Sequence, residues 1–466
     1  MRGRLIAGSL ALVVGASCGG GAAAHGATPE GAPRDAAREA VFRAGAARVP
    51  LRVPPGTPLA GYGSFRRRLL VPDLLGRYPH AFWFAPHEGV LDDVAARALV
   101  MYAGTTRVTW IALDVVAVDQ RFLVRLAERF AASGIRPGTV IVSASHTHSG
   151  PGAYLASALF AFAAVDREDA EVREAVLDAI VEAVRRAGAR ARDARIAAAT
   201  LDAPAITTSR LGAGVDPTLI VLKLTTTTEE PIAAVWNYAI HGTMLGPRNR
   251  RLSGDVMGAA TRRLEEGLGV PVLFVNGAVG DVSPHGHGEV AMAATGRALA
   301  EAARATWISA EPMAAQPFAI RSARIGLPAA GLSLRHCVAR WLPSTRIPLG
   351  SFVPTETQIT AVALGRVAWV TMPGEPVTAL GREIKESARD RWAQVIVAGV
   401  SNDYLGYFVR PQEYTQKGYV TCAAVYGPRL GPCLAATASD LLRRLPEPGT
   451  ASTGGAPACD FTTGAR

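Results

Sequence analysis

The chain has 466 residues, 49 Lys and Arg against 39 Asp and Glu, a formal charge of +10, and apolar residues at 49%. That length and apolar content exclude a disordered chain and leave room for one large domain or two of ordinary size. Only Lys223, Lys385 and Lys417 are lysines, and the arginines are scattered along the chain, so the charge points away from a nucleic-acid partner. Long-range attraction to an anionic surface stays open.

The chain opens with Met1-Arg-Gly-Arg4, the apolar run Leu5 to Val14, and Gly15-Ala-Ser-Cys18. This reads as a secretory leader over residues 1–18, too short to persist as a membrane span. Gly15-Ala-Ser-Cys18 resembles a bacterial lipobox with Gly where Leu is usual. Lipidation of Cys18 makes an exported lipoprotein at a membrane surface. Ordinary cleavage nearby makes a secreted or periplasmic protein. Residues 19–46 are rich in Gly, Ala and Pro and read as a tether, and 446–466 as a tail. Cys337, Cys422, Cys433 and Cys459 allow two disulfides in three pairings, and none has C-x-x-C spacing.

Between these ends, strands and helices mix without a repeat. Strands are predicted at 95–102, 108–114, 139–146, 197–201, 219–225, 231–240, 270–275, 318–327, 358–371 and 395–399. Helices are predicted at 121–133, 168–192, 255–268, 290–307, 377–392 and 432–444. The expected fold is a single α/β domain over 47–445, with a mixed β-sheet core flanked by helices.

The most informative stretch is Thr139-Val-Ile-Val-Ser-Ala-Ser-His146-Thr-His148-Ser-Gly-Pro-Gly152. An apolar, β-branched run ends in two histidines one residue apart. Side chains alternate across a strand, so His146 and His148 are expected to point to the same side. Other strand-like runs also end in polar residues: His241-Gly-Thr, Gly280-Asp281-Val-Ser283-Pro, Pro373-Gly-Glu375, and Ser401-Asn402-Asp-Tyr404-Leu-Gly-Tyr407. Strand ends are where α/β proteins build sites. His146, His241 and Glu375 together make two imidazoles and one carboxylate, a donor set of catalytic zinc. His148 beside them is placed to contact substrate or shuttle a proton. Taken singly, each residue also has an ordinary structural explanation, and spacing alone does not select this set.

These motifs, in this order, resemble the neutral/alkaline non-lysosomal ceramidase family. The resemblance rests on His146-Thr-His148-Ser-Gly-Pro-Gly, Gly280-Asp-Val-Ser283-Pro and Pro373-Gly-Glu375. Ser401 to Tyr407 and Val425-Tyr-Gly-Pro428 support it. It implies a zinc amidohydrolase that cleaves the N-acyl bond of ceramide to sphingosine and fatty acid. It implies one zinc per chain held by His146, His241, Glu375 and Tyr407. His148 and Arg210 are implied to bind the substrate, and Tyr419 to bind it and stabilise the oxyanion. Ser283 is implied to be essential, as nucleophile or as positioning residue, and a water activated by zinc favours positioning. Departures from the family pattern are His285 after Gly-Asp-Val-Ser-Pro, Gly-Thr-Met after His241, and Gln412 in the Glu-Glu-Tyr motif. The family's C-terminal immunoglobulin-like domain is expected to be lacking. The alternatives are the same site acting on another N-acyl amine or an ester, and a non-catalytic surface-binding lipoprotein. A membrane surface is an expected partner; oligomeric state is left open.

Overall fold

The computed structural model describes residues 41–445 together with Cys459 and Phe461. The leader, Cys18, the first part of the tether and most of the tail lie outside the described residues. The chain enters on β1 (Arg43–Pro50), four residues ahead of the start read from the sequence. The Gly/Ala composition that suggested a tether here has a packing role. An added Cβ at Gly45 would lie 2.3 Å from the Ala187 carbonyl oxygen, so only a small residue lets β1 meet the Ala170–Ala189 helix.

β2 (Ala95–Ala103) and β3 (Thr106–Leu113) form an antiparallel pair. The Gln120–Ala132 helix then crosses back to β4 (Thr139–Ala144), parallel to β3. Its start is fixed by Asp119, which accepts the Phe122 amide at 2.8 Å. Next come β5 (Arg192–Asp202), β6 (Thr207–Ser209), β7 (Thr218–Thr226) and β8 (Pro231–Tyr238). The Asp255–Leu268 helix leads to β9 (Val272–Asn276), parallel to β8. β10 (Val282–Pro284), the Glu289–Ile308 helix and β11 (Glu311–Met313) follow. The main sheet runs β4-β3-β2-β1-β5-β7-β8-β9, with β11 on β5. It is open and mixed, as expected.

The later chain supplies β12 (Phe318–Gly326), β13 (Gly331–Ser333), β14 (Arg346–Pro348), β15 (Glu356–Leu364) and β16 (Val367–Thr371). β17 (Glu375–Pro376), β18 (Gln394–Ala398) and β19 (Tyr407–Phe408) complete the strands. A second sheet runs β12-β15-β16-β18. The predicted single strand over 358–371 is a hairpin, turning at Gly365 with φ 61°. Both arms are buried on two faces, so their apolar run shows no interruption in the sequence. The helices predicted to reach Arg192 and Trp392 stop at Ala189 and Ser387.

Trp110 on β3 stacks on Trp369 of β16 at 4.7 Å between ring centroids, joining the two sheets. The Trp110 indole donates to Ser143 Oγ at 3.0 Å, and Ser143 pairs with Ser401 at 2.7 Å. The parallel pairs β3/β4, β8/β9 and β16/β18 all end at this junction. Ala144 N donates to Val400 O at 3.0 Å and Gly399 N to Asn276 O at 2.9 Å. Strand C-termini from both sheets therefore meet at one place. Farther off, Arg97 on β2 is 1% exposed. It donates to Asp114 at 2.8 Å and to both oxygens of Glu265 at 2.7 and 3.1 Å. The disulfides are Cys337–Cys422 and Cys433–Cys459, one of the three possible pairings. Among the described residues no helix is long and apolar enough to cross a membrane.

One buried acid gives a test of the fold. Desolvation pushes the Asp403 carboxyl up to about 6, against hydrogen bonds from the Thr357 hydroxyl and the Tyr404 amide. A raised folded-state pKa means that this contribution to stability is full below the unfolded value. It is lost as pH rises through about 6. An Asn here still accepts from Tyr404 and donates to Thr357, and it does not ionise. The unfolding free energy of Asp403→Asn relative to the parent is expected to move by about 2.5 kcal/mol in the variant's favour between pH 4 and pH 7.5. Denaturant unfolding across that range checks it, and a constant difference refutes it.

Candidate metal centre

β4 stops at Ala144, so His146 and His148 lie beyond the strand, and its period does not align them. A turn does. His146 sits at φ 67°, a conformation that side-chain-bearing residues seldom adopt and that costs on the order of 1 kcal/mol. Thr147 bridges to Gly242 in parallel, and His148 N donates to Gly242 O at 2.9 Å. The close approach requires glycine: an added Cβ at Gly242 would lie 2.7 Å from the His146 carbonyl oxygen. The two histidine-bearing loops are thereby zipped together. Asn276 ties them at the base, its amide donating to Ser145 O and Ile240 O, each at 3.0 Å.

The hydrogen bonds assign the tautomers. His146 Nδ1 lies 2.7 Å from Val116 O, and His241 Nδ1 lies 3.1 and 3.0 Å from Val279 O and Val282 O. Carbonyl oxygens only accept, so both Nδ1 atoms carry a proton, and in the neutral rings both Nε2 atoms are bare lone pairs. Those two Nε2 atoms face each other at 3.3 Å. Glu375 brings Oε1 to 3.3 Å from His146 Nε2 and Oε2 to 3.3 Å from His241 Nε2. Glu375 is fully buried, and its Oε2 receives no hydrogen bond. Lone pairs and a carboxylate converging without a proton between them repel unless a cation sits among them. The residues fit a metal ion on this ground.

His148 Nε2 lies 3.4 Å from His146 Nε2. The ligand atoms of His146, His148 and His241 all lie within 4.8 Å of one another. Distance alone therefore admits His148 as a third imidazole donor as well as a substrate contact. Burial, then the neighbouring His146, holds its imidazole well below the usual histidine range, so it is neutral at pH 7. The Tyr407 hydroxyl is 3.4 Å from His241 Nε2. Its placement follows from pairing, because β17 and β19 run parallel with Glu375 opposite Tyr407. Burial, then the Glu375 carboxylate, raises the Tyr407 phenol well above its ordinary value.

A second group adjoins the first. β6 and β10 pair with Thr208 opposite Ser283. Arg210 Nε donates to Ser283 Oγ at 2.7 Å, and its Nη1 to the Tyr407 hydroxyl at 3.4 Å. Asp281 fixes this turn. Its carbonyl accepts Arg210 N at 2.6 Å, and its carboxylate accepts Ser209 Oγ at 2.7 Å and Thr378 N at 2.7 Å. Tyr419 is 66% exposed and sets its ring against Tyr407, centroids 5.5 Å apart. Every site residue expected from the sequence thus falls in one neighbourhood. His285 and His287 are exposed and stand outside it.

His146, His148, Glu375, Tyr407 and Tyr419 line one cavity of 310 Å³ with mostly apolar walls, including Leu155, Leu159, Phe160, Leu332, Phe352 and Val353. A larger hollow of 880 Å³, lined by Arg382, Lys385, Arg389 and Trp392, carries none of these groups. Chemistry, not size, marks the smaller one as the site.

Residues 85–301 match the family described as neutral/alkaline non-lysosomal ceramidase, N-terminal. That stretch, a little under half of the chain, is similar to this family. Neutral ceramidase B of Dictyostelium discoideum is 34% identical over 83 residues, 16% of this chain and 12% of that protein. Neutral ceramidase of Pseudomonas aeruginosa is 23% identical over 213 residues, 42% of this chain and 31% of that protein. The matched stretches thus span less than a third of either relative. The crystal structure of the Pseudomonas aeruginosa neutral ceramidase superposes with a TM-score of 0.74 at 19% identity, covering 89% of this chain and 76% of that one. A ceramidase complexed with C2 gives 0.75 at 18% identity, covering 91% and 78%. At that identity the likeness is one of fold.

Within this ceramidase fold, three positioning residues carry no sequence signal of their role. The Tyr404 hydroxyl donates to Glu375 Oε1 at 2.5 Å. Tyr62 sets its ring 4.8 Å from His148. Arg67 donates to the His148 carbonyl at 2.6 Å. Tyr404 stands inside a motif that supports the resemblance. Nothing local singles out Tyr62 or Arg67.

Proposed function

We propose that the protein is a zinc-dependent amidohydrolase that cleaves the N-acyl bond of ceramide, or of a closely related N-acyl lipid, to amine and fatty acid. One observation carries the reading: bare imidazole lone pairs and a carboxylate with one oxygen left unpaired converge at the wall of an apolar cavity, at the strand ends of a ceramidase fold. His146, His241, Glu375 and Tyr407 would hold the ion, and nitrogen and oxygen donors suit zinc. Bound there, zinc would lower the pKa of a water and polarise the amide carbonyl.

The protein's own groups do the rest. Tyr404 holds Glu375 Oε1 in place, and the Nδ1 contacts to carbonyls hold both imidazole rings. His148 Nε2, neutral and facing the same space, is placed to take a proton from water and pass it to the leaving nitrogen. Because Arg210 donates to Ser283 Oγ, the serine proton is free to point at substrate. No base hydrogen-bonds that oxygen among the described residues, which supports positioning over nucleophilic attack. Tyr419, at the mouth, offers a phenol donor to charge developing on the acyl oxygen. The apolar walls receive the hydrocarbon and exclude water from it. Export, lipidation at Cys18 and contact with a membrane belong to the same proposal, because a lipid substrate resides there.

The cavity volume of 310 Å³ favours a second reading, in which the acyl group is short or the bond is an ester. It stands at the lower end of ligand pockets, which span about 300–1,000 Å³. Metal analysis with hydrolysis of fluorescent N-acylsphingosine tests the first reading. The expected result is one zinc per chain and release of fatty acid that stops on chelation and returns with added zinc. Full turnover by metal-free protein would sink it. A series of acyl lengths and an ester analogue separates the two readings.

A further inference from the structure

The segments that line the cavity continue outward into large side chains that face solvent. On one side, Arg68 joins two of them by donating to the carbonyls of Gly63 and Phe162, with its guanidinium over the Phe162 ring. Phe65 there is 80% exposed and Phe162 56%, and the same loop exposes Leu70, Leu74 and Leu75. On another side, the Cys337–Cys422 disulfide fastens the Trp341 segment to the cavity wall at Cys422. Trp341 is 84% exposed, and Phe352, itself a lining residue, 64%. Large apolar side chains exposed on segments that line a pocket mark an interaction surface.

Charge identifies the partner. Residues 61–80, 155–165, 331–353 and 416–426 contain Arg66, Arg68, Arg77, Arg335, Arg340 and Lys417 among their cations. Across all four segments the only acid is Asp73. Its carboxylate is turned inward, accepting the Tyr78 amide at 2.6 Å, with its side chain 1% exposed. Apolar side chains set among cations, with no outward carboxylate, match the headgroup region of a bilayer carrying anionic lipid. A second copy of the chain fits poorly, because two such rims face to face oppose cation to cation.

We propose that this rim docks the mouth of the cavity onto an anionic bilayer surface. The purpose rests on the reading of the cavity as a lipid-amide site: a docked mouth lets an N-acyl lipid enter without crossing water. The docking itself is measurable without turnover. The test uses full-length protein carrying Cys18→Ser, so that lipidation cannot substitute for the rim. Flotation with phosphatidylcholine vesicles is compared with and without phosphatidylglycerol. Binding is expected only with the anionic lipid and is expected to weaken with salt. The pair Phe65→Ser with Trp341→Ser, and separately the pair Arg66→Glu with Arg340→Glu, is each expected to weaken it at least about tenfold. None of these four residues lines the cavity. Hydrolysis of a water-soluble short-chain N-acyl substrate is expected to be unchanged, which also shows that the variants fold. Equal flotation with neutral vesicles, undiminished binding of either pair, or a dimer that these substitutions dissociate overturns the proposal. Failure of hydrolysis with intact flotation removes the enzymatic reading and leaves the docking.

Discussion

His146→Ala is expected to yield a protein without stoichiometric metal and with hydrolysis slowed by on the order of 10³-fold, equivalent to about 4 kcal/mol of transition-state stabilisation. His146 Nε2 is the contact shared by His241, Glu375 and His148, at 3.3, 3.3 and 3.4 Å. Removing it takes away the donor nearest to all the others. A trivial explanation, misfolding, is open to control because of the backbone. At φ 67° His146 is strained, and glycine relaxes that strain while deleting the imidazole. His146→Gly is therefore expected to melt no lower than the parent and still lack metal and activity. His148→Ala supplies the contrast. A substrate contact predicts retained metal with slowed turnover. A third imidazole ligand predicts metal loss equal to that of His146→Ala. Elemental analysis and turnover of the three variants decide the matter, and a fully active His146→Gly would falsify the metal role.

Arg97→Ala is expected to cost about 3–5 kcal/mol of folding stability. The guanidinium is buried between Asp114 and Glu265, and these partners hold it protonated despite its desolvation. Deleting it strands two carboxylates. Asp114 keeps one backbone donor, the Ala95 amide at 2.9 Å, and Glu265 keeps Arg48 at 3.4 Å. The penalty therefore falls mainly on Asp114. Arg97→Met combined with Asp114→Asn and Glu265→Gln removes the charges together and is expected to recover much of the loss. Denaturant unfolding of the single and triple variants measures both. An equal loss in the two would mean that packing, not charge, is at stake.

Local patterns made parts of this protein legible. A short β-branched apolar run favours a buried strand, and polar residues at its end have to be accommodated by the fold. That logic located His146, His241, Ser283 and Glu375 at strand ends, and the structure places all of them at one junction. It failed where burial on both faces erases the alternation, as at Gly365. It failed again where small residues serve close packing, as at Gly45. His146 and His148 do lie side by side, but a left-handed turn and the Thr147–Gly242 bridge align them, not a strand period.

The sequence by itself determined the α/β class, the family resemblance and the residues that now surround the cavity. These are carried by short stretches whose backbone and chemistry are local. Tertiary structure alone decided the choice among three disulfide pairings, the bare Nε2 atoms, the Tyr404 hydrogen bond to Glu375, the Asn276 tie and the rim around the cavity. Each depends on groups brought together from distant parts of the chain: Val116 against His146, Val279 against His241, Ser145 against Asn276. A tautomer is set by whichever carbonyl the fold brings to Nδ1, and no spacing in the sequence records that.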